Sequence, residues 1–214
     1  IETALQFRDF SEVKIRRKMG VLGVRLQWEL KGISCIALED SPTPKKQTVV
    51  SRSFGSPVTT LLNLTEATTL YATKAATKLR QQGQKTCAMV VFVRTSPFKS
   101  NFYSKSHLHL FPYPTNDTQD LVKGAVIATG QLFREGDRYQ KSGVICLDLV
   151  DENSVQGDLF YPQSLGDESK RKRLMAVIDG INLRYGAMMI RPAITGLRQS
   201  WRMKSNRRSP SYTT

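Results

Sequence analysis

Cysteine is scarce: the 214 residues hold three, Cys35, Cys87 and Cys146, far apart and odd in number. That argues against a disulfide framework and against a zinc site, and leaves three ordinary buried thiols as the expectation. Histidine is scarcer still. His107 and His109 alternate along one strand face, but with no third ligand nearby they make a weak case for a metal. No apolar run approaches the roughly 20 residues that cross a bilayer, so no membrane partner is expected. The N-terminus, IETALQFRDFSEV, lacks the basic-then-apolar pattern of a signal peptide. It also lacks an initial Met, as a fragment or a processed chain would. No Ser/His/Asp or Cys/His set stands out, so an enzyme reading has no residues to rest on.

Acidic residues are few as well, 18 against 32 basic ones, for a net charge of +14. The balance favours a polyanion as partner. Residues 151–169 contain five acidic and no basic side chains, whereas residues 170–214 contain eleven basic and one acidic. An acidic patch therefore separates two basic regions. Within it lies VQGDLFYP (155–162), where Leu159, Phe160 and Tyr161 sit among turn formers with no period that would bury them. Either they fold back on a core or they are held out for a partner.

The remaining segments follow a regular order. Residues 1–32 read as two short helices joined at Gly20, with Ser11 as N-cap and Gly32 as the stop. Val21, Val24, Trp28 and Leu30 would form one face. SPTPKK (41–46) is a linker. Strands are expected at 47–54, 85–96, 104–113 and 139–150, with helices at 63–83 and 116–136. Asn63 and Glu66 would make a capping box for the first helix, and Gly124 and Gly130 weaken the second. The order β-α-β-β-α-β is that of a ferredoxin-like, split βαβ domain of the α+β class, with both helices on one face of an antiparallel sheet. A last amphipathic helix starts at Ser169, with Leu174, Val177, Ile178 and Ile181 as its apolar face, before a basic tail.

Five collinear stretches carry a resemblance: SRSFG (51–55), RTSPF (94–98), GDRYQKSGV (136–144), LMAVIDGINLRYG (174–186) and SWRMKSNRRSPSYTT (200–214). Together they resemble the C-terminal half of the UmuC family, the catalytic subunits of bacterial translesion DNA polymerase V within the Y family. The resemblance implies a thumb remnant at 1–34, a linker at 35–46 and a DNA-gripping little finger at 47–150. It further implies an acidic linker at 151–168 and a UmuC-type extension at 169–214. It implies primer–template DNA, a sliding clamp (its β subunit), a UmuD′-like dimer and RecA as partners, and a cytoplasmic, nucleoid-associated setting in a bacterium. The family's palm holds two metal ions through carboxylates, so the parent would use Mg2+. No such segment stands here; Asp148, Asp151 and Glu152 read as a solvated acidic turn. This chain is therefore expected to hold no cofactor and to be inactive alone.

Candidate DNA contacts are Arg52 and Ser53 with Ser51 beside them, Arg94, Thr95 and Ser96 with Lys99 after them, Lys105 with Ser106, and Lys141 with Ser142. Arginines and hydroxyls on strands bind phosphate oxygens without reading sequence. Gln156, Asp158, Leu159 and Phe160 match bacterial sliding-clamp ligands of the form Gln-Leu-(Ser/Asp)-Leu-Phe, with Gly157 departing from the usual Leu. The rival use of Leu159 and Phe160 is to staple the linker onto the little finger. Trp201, Arg202, Lys204, Arg207 and Arg208 could stack on and neutralise nucleic acid, or pack on a partner subunit. The alternative to a polymerase fragment is a free-standing ferredoxin-like nucleic-acid-binding protein, although the aromatic RNA-recognition motif is missing.

Overall fold

In the computed structural model of the chain the residues described are 1–37, 44–98, 101–153, 165–197 and 199–204. The chain divides into two units, Ile1–Pro44 and Lys45–Thr214.

The first unit is helical. Helix α1 (Ala4–Arg8) is capped by Thr3, whose side chain accepts from the Gln6 amide. Helix α2 (Glu12–Leu30) breaks at Gly20, where φ is 68°. Only glycine takes that conformation cheaply, so the expected joint between two short helices is a real change of direction. Ser11 holds the N-cap position but makes no side-chain cap bond. The stop is a Schellman motif: Ile33 N–H donates to Trp28 O and Gly32 N–H to Glu29 O, both at 2.9 Å. Val24 is buried, but Val21, Trp28 and Leu30 are exposed, because the inner face of this half runs through Gly23, Val24 and Gln27. Gln27, also buried, donates through Nε2 to Arg8 O at 2.9 Å and Phe10 O at 2.6 Å, holding the end of α1.

The second unit contains β1 (Thr48–Val58), α3 (Leu61–Gln81), β2 (Gln84–Thr95), β3 (Ser104–Thr115), α4 (Thr118–Leu132), β4 (Tyr139–Asp151) and α5 (Leu165–Tyr185), then a 3-10 turn at Ala193–Thr195. The four strands form one antiparallel sheet in the order β1-β4-β2-β3. β4 thus lies between β1 and β2, and β2 between β4 and β3, so each βαβ unit is split by a strand of the other. The α+β class and the βαββαβ order are as the sequence predicts.

One sheet face carries the core. Met89, Val91 and Val93 of β2 and Val144 and Cys146 of β4 are fully buried under α3 and α4. The helices touch through small residues, and Thr68 and Thr129 share a buried hydrogen bond of 2.7 Å between them. Helix α3 starts earlier than expected. Its N-cap is Thr60, which accepts from the Asn63 amide, and Glu66 is not part of a capping box. Gly124 proves structural: a Cβ there would lie 2.7 Å from Cδ2 of His109, so the glycine admits that ring.

Helix α5 docks mainly by charge. Arg80 grips Asp179 bidentately at 2.6 and 2.8 Å, Arg171 reaches Asp117 at 2.9 Å and Asp120 at 2.8 Å, and Lys172 meets Glu152 at 2.9 Å. Among its described side chains Met175 is the buried apolar one; of the expected inner face Ile178 and Ile181 are half-buried, while Leu174 and Val177 are exposed.

Candidate nucleic-acid interface

Side chains alternate across a strand, so register decides which candidates share a face. On β1, Ser51 pairs with Gly143 and Ser53 with Lys141; on β2, Phe92 pairs with Gly143 and Arg94 with Lys141. On β3, Ser104 stands opposite Arg94 and Ser106 opposite Phe92. Ser53, Lys141, Arg94 and Ser104 therefore form one transverse row on the face away from the helices. At a strand spacing of about 4.8 Å the row is about 14 Å long. The next row is Ser51, Gly143, Phe92 and Ser106. Gly143 is required here, since a Cβ would lie 2.4 Å from Cβ of Ser51 and 2.6 Å from the Phe92 ring. Two further rows are apolar: Val49, Ile145, Val90 and Leu108, then Leu147, Ala88 and Leu110. Leu108 is 51% and Leu110 67% exposed. None of these four rows contains an acidic side chain.

The same alternation separates other candidates. Arg52 and Lys105 pair with Ser142 and Val93, both buried on the helix side, so they stand on the opposite face from the basic row. Ser142 is itself fully buried. Thr95 and Ser96 are buried too, and their hydroxyls are used locally. Thr95 Oγ1 accepts from the Tyr103 amide at 2.8 Å, and Ser96 Oγ from the Phe98 amide at 3.4 Å. Both line a shallow pocket with Pro57, Asn101, Asp137 and Arg138 at the basic end of the sheet. Lys99, Gln156, Asp158, Leu159, Phe160, Arg207 and Arg208 lie outside the described residues.

Sequence reading missed Ser104, a row member, because it precedes Lys105, the one basic side chain that drew notice on β3. Counting by twos from Ser106 would have found it.

The two histidines lie on the helix side. His109 meets Phe111 edge-on at 4.9 Å, and burial, with His107 nearby, holds its pKa below the ordinary value. Among the described residues no group of three His, Cys, Asp or Glu gathers to hold a metal. In the acidic turn Asp148 and Asp151 are exposed, as expected, with Asp151 Oδ1 accepting from the Asn153 amide at 2.8 Å, whereas Glu152 is paired with Lys172 rather than solvated. Of the cysteines, only Cys146 is fully buried, and burial pushes its thiol up to about 12.

Trp201 is not free to stack on a base. It is 3% exposed, meets Phe54 and Tyr71 edge-on at 5.9 and 6.2 Å, and donates through Nε1 to Glu66 Oε2 at 3.3 Å. Glu66, the sixth residue of α3 and past its first turn, thus points at the indole rather than at the helix start.

Comparison with known proteins covers both ends of this unit. Residues 45–159 match the impB/mucB/samB family C-terminal domain, and residues 172–214 match a domain of unknown function (DUF4113). The chain is 38% identical to protein SamB and 37% to protein ImpB, both of Salmonella typhimurium, over all of this chain and 50% of each relative. It is 36% identical to protein UmuC of Salmonella typhimurium strain LT2, over all of this chain and 51% of that protein. The chain spans about half the length of the curated relatives it matches.

Proposed function

Because this chain belongs to the impB/mucB/samB family, the UmuC-like proteins, through that family's C-terminal domain, we propose that it is the DNA-gripping part of an error-prone translesion polymerase. The observation that carries this reading is the row Ser53, Lys141, Arg94 and Ser104 on an open sheet face, with no acidic side chain in that row or in the three beside it. Two cations and two hydroxyls across about 14 Å suit phosphates on either side of a major groove about 12 Å wide. Cations and hydroxyls on strands bind phosphate oxygens without reading sequence, and that backbone contact is the proposed mode. A lesion-bypass enzyme needs that indifference, since the template base is damaged. The half-buried Phe92 ring lies against Gly143 in the next row of the same face.

The chain supplies grip and reach, not nucleotidyl transfer. Metal-assisted transfer belongs to carboxylates that the described residues do not assemble; in the parent polymerase Mg2+ would serve it. Residues 156–160 tether the assembly to a sliding clamp, with Leu159 and Phe160 each contributing about 1.5–3 kcal/mol on full burial. A UmuD′-like dimer and RecA are its further partners by family resemblance, in the bacterial nucleoid.

The test is a salt series of duplex binding by fluorescence anisotropy. Each neutralised phosphate adds about 0.9 to the slope of log K against log salt. Arg94→Gln with Lys141→Gln should lower that slope by about 1.8 on every sequence tried. An unchanged slope, or a loss confined to one sequence, would count against the platform.

A further inference from the structure

The end of the chain gathers cations from three distant parts of the sequence. Gly55 N–H donates to Trp201 O at 2.9 Å and Ser56 Oγ to Ser200 O at 3.3 Å, so this terminal strap runs beside β1. The fit is tight: a Cβ at Gly55 would lie 2.4 Å from Arg202 O and 3.2 Å from Cγ of Lys204. The Trp201–Tyr71 contact sets the strap against α3, where Lys74 and Lys78 follow at i+3 and i+7 from Tyr71 and share a face. Arg52 projects from β1 to the same helix side, near enough for its charge to act on both Tyr71 and Lys74. Partial burial, then the charges of Arg202, Arg52 and Lys78, hold the Lys74 pKa below the ordinary lysine value.

Arg52, Lys74, Lys78, Arg202 and Lys204 are all exposed, and none forms an ion pair among the described residues. Of the acids on α3 and α5, Asp179 is neutralised by Arg80, while Glu66 accepts from the Trp201 indole and keeps its charge as a single anion beside the five cations. Bringing like charges together costs free energy in the unliganded chain, yet a buried tryptophan holds them there. An anion between them would reverse that cost.

We propose that these five cations form a second phosphate-binding surface, completed by the strap, that takes the sugar–phosphate backbone of nucleic acid. The choice of occupant rests on the platform reading above, through continuity. Ser53 belongs to the open-face row and Arg52, its neighbour, to the second surface, so the two meet at the β1 edge of the sheet. One polyanion can pass around that edge from one surface to the other. A compact acidic protein segment would meet charges on one side only.

The test uses the whole 214-residue chain with a fluorescein-labelled DNA duplex over a salt series. Three proteins are compared: the unaltered chain, Lys74→Gln with Arg202→Gln, and Arg94→Gln with Lys141→Gln. The strap-side pair is expected to lower the log–log slope by about 1.8 while melting no lower than the unaltered chain, since like charges have been removed. A strap-side slope equal to the unaltered one, with the sheet-side slope reduced, would overturn this inference and leave the platform standing. The converse result would support the second surface and overturn the platform. No salt-dependent binding by the unaltered chain would overturn both. Unchanged duplex binding with lost binding to a synthetic peptide of residues 151–169 would assign the cations to an acidic segment and overturn the inference. Trp201→Phe, which keeps the strap's aromatic contact, should keep the full slope.

Discussion

At the scale of single residues, neighbours in sequence have opposite uses. Arg94 stands on the open sheet face, whereas Thr95 spends its hydroxyl on the Tyr103 amide at 2.8 Å in a buried turn. Thr95→Val would leave that amide unpartnered, and the expected cost is about 1–3 kcal/mol, read from a denaturant melt. An unchanged midpoint would mean that the hydroxyl is free for DNA after all. His109 gives a pH signature. Its folded pKa lies below the unfolded one, chiefly through burial, so the unfolded state takes up more protons as pH falls. The chain should therefore hold this contribution above about pH 6.5 and lose it progressively below, and His109→Gln should flatten that part of the profile. Melting temperatures at several pH values check the sign. Cys146, with its thiol pushed up to about 12 by burial, should resist alkylation in the folded chain, while the partly exposed Cys35 labels first. Mass spectrometry after brief iodoacetamide treatment reads the order.

At the scale of elements, the strap from Pro192 to Lys204 is a fitted part of the domain rather than a loose basic tail. Trp201→Ala should cost about 3–5 kcal/mol, because it empties a site lined by Phe54 and Tyr71 and strands Glu66. Gly55→Ala should cost about 1–3 kcal/mol through overpacking against Arg202 O. Thermal melts of both variants, with tryptophan emission for the second, check this; a Gly55→Ala chain as stable as its parent would mean that the strap is not seated. The strands and helices of this unit were legible because their apolar residues recur at two and at three to four. The strap was not, since the Glu66–Trp201 bond joins residues 135 apart and no local pattern announces it. The capping assignment failed for a local reason: Thr60 caps three residues earlier, which leaves Asn63 and Glu66 inside the helix. Strand order was likewise illegible, and with it the transverse row that joins Ser53, Lys141, Arg94 and Ser104, because one sequence records alternation along a strand but not the neighbour across it.

At the scale of the molecule, the sheet divides labour between its two faces. One buries the core under α3 and α4, and the other carries a basic row at one end and an exposed apolar field at the other. The acidic stretch 151–169 begins inside the match to the family's C-terminal domain, residues 45–159, and ends before the second match, residues 172–214. Leu159→Ala with Phe160→Ala should abolish clamp binding in a titration against a labelled clamp while leaving DNA affinity intact. Equal binding by both proteins would return those side chains to packing on their own domain. The central claim is that DNA lies on the open sheet face, and adjacent residues of β3 test it directly. Ser104→Cys and Lys105→Cys, each made in a chain with Cys35 and Cys87 replaced by Ser, would be labelled with a thiol reagent with and without duplex. Protection of position 104 with position 105 still reactive is the predicted result. Protection of 105 with 104 still reactive would put the DNA on the helix side and contradict the account.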